Sequence, residues 1–183
     1  VSQWDDSATA GLYDMVQATD TEQPAYSGGV LTFVSANDEN LQTAGQISLA
    51  ADFSLGLRIN TSTTNGSFLA DNTTANEFFK YSSSSRVLFK IAGSTSTALD
   101  LDSGTFGDDY IIITRSSDVL TLWKNGVAQT GTTPTVAGTS LIDVIGLRRT
   151  DLNGFDGTIK EIQIYSSSST DLTANINDRL STL

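Results

Sequence analysis

Cysteine and histidine are both missing from this chain of 183 residues. Without cysteine there is no disulfide framework and no thiolate nucleophile, so the chain is a poor match to a small secreted scaffold of eukaryotes. Without histidine the usual general base at neutral pH is missing. The two absences exclude Ser-His-Asp and Cys-His catalysis, and they exclude metal sites built on imidazole or thiolate.

Basic residues are also scarce, since ten lysines and arginines accompany 21 aspartates and glutamates, for a formal net charge of -11. The resulting field repels phosphate backbones and anionic membranes and attracts cations. The adjacent basic pair, Arg148 and Arg149, lies in a strand-like segment, where we expect it to pair with local carboxylates. The sequence therefore predicts no nucleic-acid partner.

Long apolar runs are missing as well, because none approaches the about 20 residues that span a bilayer, and no signal peptide begins the chain. We therefore predict no insertion into membranes. The length suits one domain, so residues 1–183 are interpreted as a single domain with one core. Because the sequence begins with Val1 rather than Met, we expect it to be part, or a processed product, of a longer chain.

What the sequence does contain is a series of short apolar runs that alternate with polar residues and are separated by Gly, Asn, Asp, Ser and Thr. This period of two indicates many β-strands joined by turns. The clearest run extends from Phe53 to Ile59, and it predicts a strand with one buried and one solvated face. The other predicted strands are Val30 to Val34, Phe78 to Tyr81, Val87 to Ile91, Tyr110 to Thr114, Val119 to Trp123, Val144 to Arg148 and Ile159 to Tyr165.

Two local signals complete the fold prediction. Asn125-Gly126 stands between two strand-like runs and predicts a type I′ hairpin, since both residues accept a positive φ. Near the C-terminus, apolar residues at helical spacing follow a Ser/Thr/Asp cluster and predict a helix that closes one edge or end of the sandwich. Its apolar residues are Leu172, Ile176, Leu180 and Leu183. The fold class is therefore all-β, a two-sheet antiparallel sandwich with a short C-terminal helix.

Five stretches of sequence, taken in order, resemble a known family. They are VSQWDDSATAGLYDMVQATDTEQPAY, then LTFVSANDENLQT with DFSLGLRIN, then LTLWKNGVAQT, and finally FDGTIKEIQIYSSSSTDLTANINDRL. The chain resembles the concanavalin A-like lectin/glucanase superfamily and, within it, the laminin-G-like jelly-roll domains of bacterial surface proteins and phage structural proteins. The chain departs from the family at Val34 and Ser35, since Asp-Gly is common at these two positions in the family. This departure weakens the inference that a metal ion binds at this turn.

The resemblance implies a jelly roll but fixes no function, because this fold hosts lectins, glycan hydrolases, adhesion domains and structural appendages. Glycan hydrolysis needs two carboxylates across the scissile bond. In hydrolytic relatives these come from a Glu-x-Asp-x-x-Glu strand, and that motif is missing from this sequence. The glutamates are well separated, at Glu22, Glu39, Glu77 and Glu161. We therefore predict that the protein is not an enzyme.

The candidate metal ligands are four aspartates, Asp100, Asp102, Asp108 and Asp109. An extended backbone places the first two on one face, and the second two follow a Gly-containing turn, so the four carboxylates could converge on calcium. The alternative, which the sequence favours, is that all four are solvated turn carboxylates. In either case mutual repulsion predicts that removing charge leaves the metal-free protein as stable or slightly more stable.

Carbohydrate sites usually combine an aromatic platform with Asn or Asp side chains that bind hydroxyl groups. Trp4 and Trp123 are the candidate platforms, and Asn153, in an Asn-Gly turn signal, is the candidate polar ligand. Trp123 is expected to face away from Leu120 and Leu122, on the outer side of the sheet. There it would either contact a ligand or be partly buried beneath a loop. Trp4 matches the family's opening tryptophan, which more often holds the N-terminal segment in place.

Two roles remain open from the sequence. The first is a recognition module, extracellular or on a virion surface, that binds a glycan or a cell-surface receptor, with calcium as its one conceivable cofactor. The second is a structural or assembly role, in which the domain contacts neighbouring virion proteins or forms a homo-oligomer. A glycoside hydrolase fits less well than either, because the paired carboxylates are missing.

Overall fold

The computed structural model describes residues 1–7, 12–61, 63–73, 76–93, 95–148 and 153–183. These residues form β-strands with two short 3₁₀ turns, at Asp20–Glu22 and Ser35–Asn37, and an α-helix near the C-terminus. The strands are β1 (Gln3–Trp4), β2 (Met15–Val16), β3 (Ala25–Ser27), β4 (Val30–Phe33), β5 (Leu41–Leu49), β6 (Phe53–Thr61), β7 (Ser67–Ala70), β8 (Phe78–Ser83), β9 (Arg86–Lys90), β10 (Thr97–Asp100), β11 (Asp108–Ser116), β12 (Val119–Lys124), β13 (Val127–Ala128), β14 (Ser140–Ile145) and β15 (Gly157–Tyr165). The helix, α1, spans Thr170–Ser181.

The strands form two antiparallel sheets. The first has the order β1-β2-β5-β14-β7-β8-β9-β10, and the second has the order β13-β12-β11-β6-β15-β4-β3. Hairpin partners lie toward the margins of each sheet, whereas the central strands β5, β6, β7, β11, β14 and β15 each pair with a strand distant in sequence, as in a jelly roll, where the chain crosses between the sheets. The predicted all-β sandwich and its strands are confirmed, although the strand expected to reach Arg148 ends at Ile145. Within the described residues no helix is both long enough and apolar enough to cross a bilayer.

The hydrophobic core lies between the two sheets. Its aromatic centre is built by three rings, because Phe53 meets Phe79 edge to face at 6.3 Å and Phe79 stacks on Phe89 at 6.2 Å. Phe53 belongs to the second sheet and the other two to the first, so these contacts join the layers. Such aromatic pairs contribute about 1 kcal/mol each beyond the area they bury.

The hairpin at Asn125-Gly126 forms as predicted. Lys124 pairs with Val127 across a two-residue turn, and both turn residues have positive φ, 48° for Asn125 and 79° for Gly126. These angles define the type I′ turn, whose twist matches that of the strands it joins. The turn sets the alternation of β12, which buries Leu120 and Leu122 in the core and leaves Trp123 on the outer face.

The helix forms where its apolar spacing predicts, but not where the sequence suggested that it would dock. Ser169 caps its N-terminus by accepting a hydrogen bond from the Leu172 amide at 3.1 Å. The helix then lies across the outer face of β6 and β11, in the middle of the second sheet rather than at an edge or end. The predicted solvated face of β6 is wrong for the same reason, since Ser54 and Gly56 are fully buried.

Candidate functional site

A cleft of about 450 Å³ opens between the outer face of β11 and β12 and the first turns of α1. We call it the Trp123 cleft after the indole in its wall. Hydroxyl and amide side chains make up most of the remaining lining. They belong to Thr114, Ser116, Ser168, Ser169, Thr170, Thr173 and Asn177. The volume falls within the about 300–1,000 Å³ that is typical of small-ligand sites.

Trp123 is half-buried and packs against the small apolar cluster that joins the helix to the sheet, with Ile112, Ile176 and Leu180 at its centre. The predicted orientation, away from Leu120, is confirmed. The Nε1–H of Trp123 is buried and has no hydrogen-bond partner among the residues that the structure describes. An unsatisfied buried donor costs about 1–3 kcal/mol, so a small movement of the indole that brought Nε1 to an oxygen acceptor would be stabilising.

Asn177, which the sequence did not single out, is held at the far side of the cleft. Its Oδ1 accepts a hydrogen bond from the Tyr110 hydroxyl at 3.0 Å. The same oxygen lies so close to Gly126 that a Cβ added there would be only 2.6 Å away. Asn177 is therefore fixed between the hairpin turn and β11, with its Nδ2 amide turned toward Asp178 at 3.4 Å. Sequence reasoning missed it because its position depends on how the helix docks.

The lining of the Trp123 cleft contains no aspartate, glutamate, lysine or arginine among the described residues. Its polar groups are hydroxyls, an amide and main-chain atoms, all of them neutral. A charged ligand would lose its hydration here without gaining an opposite charge, which is unfavourable. The arrangement therefore suits an uncharged ligand with several hydroxyl groups and one apolar face.

Trp4 lies at a second and larger cleft, of about 730 Å³, between the first strands of the first sheet, β15 and the helix. We call it the Trp4 cleft. The residue itself pairs with Met15 in the β1–β2 ladder and packs against the inter-sheet core. Both roles considered for Trp4 are therefore compatible with its position, since it anchors the N-terminal strand and also forms part of a cleft wall.

Asn153 lies in neither cleft. It has a positive φ of 58°, and its carbonyl oxygen accepts a hydrogen bond from the Ser67 amide at 2.9 Å. Its position is that of a turn residue that closes the loop before β15. A role in ligand binding therefore has no support from the position of Asn153.

The first two candidate metal ligands already have partners of their own. Asp100 accepts hydrogen bonds from Arg86 at 2.6 and 3.1 Å. These bonds lower the pKa of Asp100; burial opposes them, and a weaker bond from Thr132 adds to the lowering. Asp102 accepts from the amides of Thr130 at 2.9 Å and Gly131 at 2.6 Å. These backbone bonds lower the pKa of Asp102.

The other two candidates, Asp108 and Asp109, point to separate partners as well. Asp108 lies 3.1 Å from Arg58, whereas the mostly buried Asp109 lies 3.3 Å from Lys124 and accepts from the Asn125 amide at 2.6 Å. In the described part of the chain, no three acidic side chains gather in a geometry that suits a metal ion. The calcium site remains one of the two alternatives drawn from the sequence, and any ion would have to compete with the existing partners.

The glutamates each serve their local structure. Glu161 forms an ion pair with Arg179, and Glu39 accepts from the Val34 amide at 2.8 Å. Glu22 accepts from Gln17 at 3.2 Å. Glu77 is buried and accepts from the Leu141 amide. Its pKa is raised, first by burial and further by the nearby charge of Asp71, although backbone hydrogen bonds oppose this. None of these four residues lines the Trp123 cleft.

The basic pair is only partly described. Arg148 donates from Nε to the Asn76 side chain at 2.8 Å, and its guanidinium lies 4.7 Å from the centre of the Phe78 ring. Arg149 lies outside the described residues. The expected ion pair of Arg148 with a carboxylate does not occur among the described residues, and an amide oxygen and an aromatic ring take its place as structural partners.

Comparison with known proteins gives a likeness of fold. No protein-family model matches the sequence, and no curated protein matches it either. Among solved structures, a native heptameric SAP-like pentraxin from Limulus polyphemus is 12% identical, with a TM-score of 0.60 over 87% of this chain and 82% of that chain. A Trypanosoma rangeli sialidase is 10% identical, with a TM-score of 0.62 over 98% of this chain.

The likeness to the sialidase involves 30% of the sialidase chain. The same enzyme in complex with the inhibitor DANA has a TM-score of 0.63 at 10% identity, again over 30% of its length. At such identities the comparisons show architecture alone. They confirm the predicted two-sheet jelly-roll sandwich.

Proposed function

We propose that this protein is a non-catalytic recognition module that binds an uncharged saccharide unit in the Trp123 cleft. One observation carries the proposal: a half-buried indole shares a cleft of about 450 Å³ with a lining of hydroxyl and amide groups that contains no charged side chain in the described residues. An aromatic face packs on the apolar face of a sugar ring, while neutral polar groups bind its hydroxyls.

The unpaired Nε1–H of Trp123 adds support. A ligand oxygen that draws the indole slightly outward would supply the missing acceptor and remove the cost of an unsatisfied donor. Asn177 is already positioned by Tyr110, so its side chain loses little additional freedom when a ligand binds. Preorganisation of this kind raises affinity by lowering the entropy lost on binding.

The proposed role excludes catalysis on the ligand. Hydrolysis of a glycosidic bond needs a carboxylic acid and a carboxylate on opposite sides of the scissile bond, and no carboxylate among the described residues lines the Trp123 cleft. Glu77 has a raised pKa, which is typical of some catalytic acids, but it is only 4% exposed and lies outside the cleft. Calcium is not part of the proposed site, because the described lining of the Trp123 cleft contains no carboxylate to bind it.

The proposed setting is extracellular or on a virion surface, where glycans and glycan-bearing receptors are accessible. This part of the proposal is supported by the sequence resemblance to the laminin-G-like domains of bacterial surface proteins and phage structural proteins. The proposed partners are glycans or glycosylated receptors, and an assembly contact with a neighbouring virion protein would use the same outer face of the second sheet.

The proposal can be tested with the fluorescence of the two tryptophans, because one lies in each cleft. In the Trp4→Phe variant Trp123 is the only reporter. Titration with a panel of neutral mono- and oligosaccharides should give a saturable change in its emission for at least one ligand. A sialylated version of that ligand should bind no better, because the cleft offers no cation to its carboxylate.

Calorimetry with the same saccharide supplies the matched comparison. Trp123→Phe should weaken binding about tenfold or more, since removal of an aromatic stacking contact and a donor is worth about 1–3 kcal/mol. Trp4→Phe should bind like the unmodified protein. Equal binding by both variants, or no saturable binding by any member of a broad neutral panel, would refute the proposed site.

A further inference from the structure

The outer edge of β15 is only partly paired. This strand pairs along its whole length with β6, but it pairs with β4 only from Gly157 to Ile159. A register shift between Ile159 and Glu161 interrupts the ladder at that point. In the described part of the chain no strand pairs with the segment Glu161–Tyr165 on the side opposite β6. Five residues of edge, about 17 Å long, thus present backbone donors and acceptors outward.

The two faces of this free edge differ in chemistry. Ile162 and Ile164 are partly buried and point toward the inter-sheet core. Glu161 and Gln163 point toward the helix, where Arg179 pairs with Glu161 and Gln163 donates to the same carboxylate at 2.6 Å. An added strand would therefore meet an apolar surface on one face and a polar surface on the other, which favours alternation of apolar and polar residues.

The Trp4 cleft lies directly beside the free edge. Its apolar wall includes Trp4, Met15 and Ile47, and its edge strand contributes Ile162 and Ile164. The cleft of about 730 Å³ is therefore continuous with the apolar face of the edge. Apolar side chains of a strand paired with β15 would enter it, which supplies the pockets for alternate side chains that strand addition requires.

Charge indicates which kind of segment fits. Lys160 in the cleft wall donates to the carbonyl oxygen of Leu183 at 3.2 Å, and Arg179 pairs with Glu161. The lining also contains the carboxylates of Asp5 and Asp6. With Glu161 paired to Arg179, the two aspartates outnumber Lys160, so the charged side chains of the lining have a formal net charge of -1, in a chain whose net charge is -11. A second copy of this chain would bring the same charge to the edge and be repelled, whereas a basic segment would be attracted.

We propose that the free edge of β15 accepts an extended segment of a partner protein as an added strand. The segment pairs its backbone with Glu161–Tyr165, places apolar side chains in the Trp4 cleft, and carries basic residues that interact with Asp5 and Asp6. Its affinity comes from main-chain hydrogen bonds and its selectivity from the alternating apolar and basic pattern. This site is separate from the Trp123 cleft and does not depend on saccharide binding.

The probe is an acetylated and amidated peptide of about six residues in which lysine and isoleucine alternate, long enough to cover the edge. In the Trp123→Phe variant Trp4 is the only tryptophan, and its emission should change saturably with peptide. Hydrogen exchange should slow at amides within residues 161–165. A peptide with glutamate in place of lysine should bind at least tenfold more weakly, and added salt should weaken the lysine peptide.

Two N-methylated isomers of the lysine peptide test whether backbone pairing is the mode of binding. One isomer carries methyl groups on the amides of one edge, and the other isomer on the amides of the opposite edge. In strand addition one isomer should lose at least tenfold in affinity while the other binds within about twofold of the parent. Equal binding by the two isomers, or failure of the parent peptide to bind, would overturn the proposal.

A matched pair of protein variants locates the site. Ile164→Asn alters the apolar face of the free edge and should weaken the peptide about tenfold. Val127→Asn makes the same kind of change on β13, at the opposite edge of the sheet, where the side chain is 64% exposed, and should have no effect. If Ile164→Asn unfolds the protein, the exposed Asp5 at the end of the cleft is substituted instead, and Asp5→Lys should also reduce the affinity for the peptide. Unchanged peptide binding by whichever of these two variants is folded would contradict the proposed site.

Discussion

Ile176 of the helix packs directly against Gly56 of β6, in the space that a side chain on that strand would otherwise fill. A Cβ added to Gly56 would overlap the Cγ2 methyl of Ile176 and lie 3.2 Å from Cδ1 of Leu180. The close approach of α1 to the sheet therefore depends on a missing side chain in the middle of the strand. The same docking closes one side of the Trp123 cleft.

Gly56→Ala should destabilise the protein by about 1–3 kcal/mol, because the new methyl group forces the helix outward from a well-packed surface. Chemical denaturation measures the loss, and the emission of Trp123 should shift to the red as the indole becomes more exposed. Gly45→Ala is the control, since Gly45 lies in β5 with no atom within 4 Å of an added Cβ. Equal effects of the two substitutions would contradict the steric explanation.

Much of the architecture was accessible from the sequence because local chemistry determines it. The period of two in Phe53 to Ile59 follows from strand geometry, and the Asn125-Gly126 turn follows from backbone sterics. The spacing of Leu172 and Ile176 predicted a helix of nearly the observed extent. These features depend on neighbours in sequence, so they need no knowledge of the tertiary structure.

The position of the helix and the composition of the cleft were not accessible in this way. Ser54 and Gly56 look like solvent-facing residues until the helix covers them. Asn177 becomes part of the cleft only because it contacts Gly126, 51 positions earlier in the chain. The four aspartates were grouped by sequence proximity, but Asp102 bonds to residues near Thr130 instead. Long-range docking therefore decides which polar side chains meet.

Arg115 provides a second test of long-range structure, because this fully buried side chain forms hydrogen bonds with segments that are far apart in sequence. It donates to the carbonyl oxygens of Ala51 and Gly138 at 2.7 Å each, and of Leu49 at 3.1 Å. Arg115→Met should cost about 3 kcal/mol, since it leaves buried carbonyls without donors. Denaturation with urea measures the loss.

Arg86→Met is the control for that substitution. Arg86 makes an ion pair with Asp100, but its side chain is exposed, and exposed pairs contribute little to stability. In urea, Arg86→Met should unfold at close to the same denaturant concentration as the unmodified protein. If Arg115→Met were equally harmless, the carbonyl oxygens it serves must find other donors, and the proposed role of Arg115 as a buried crosslink would be wrong.

The aspartates that were the candidate calcium ligands give a third test. Asp102→Asn combined with Asp109→Asn should lower the melting temperature in the absence of metal. Asp102 accepts two backbone amides, and Asp109 accepts from the Gly107 amide at 2.8 Å and pairs with Lys124. This expectation replaces the one drawn from charge repulsion alone, in which removal of charge left the protein as stable or more stable.

Calcium itself should leave the melting temperature of the unmodified protein unchanged at millimolar concentration, because each of the four carboxylates already has donors of its own. A ligand that binds only the folded state raises the melting temperature increasingly as its concentration exceeds its Kd. A rise with calcium that chelation reverses and the double substitution removes would establish the metal site that the sequence suggested.

Glu77 and Glu161 should respond to pH in opposite directions. Burial raises the pKa of Glu77, so its contribution to stability is complete below its ordinary pKa of 4.5 and is lost as the pH rises through the folded value. At Glu161 burial acts to raise the pKa, but the hydrogen bonds from Arg179 and Gln163 outweigh it and lower the pKa overall. Its contribution is therefore present above 4.5 and is lost as the pH falls.

The two glutamine variants separate these effects, because every other titrating group is common to the variants and the unmodified protein. Relative to the unmodified protein, Glu77→Gln should gain stability as the pH rises from about 4.5 to 7, since it no longer buries a charge there. Glu161→Gln should instead lose relative stability as the pH rises from about 2 to 4.5, because it lacks the carboxylate that pairs with Arg179. Urea denaturation at a series of pH values measures both differences. Changes of the same sign in the two variants would show that the burial of Glu77 does not control its ionisation.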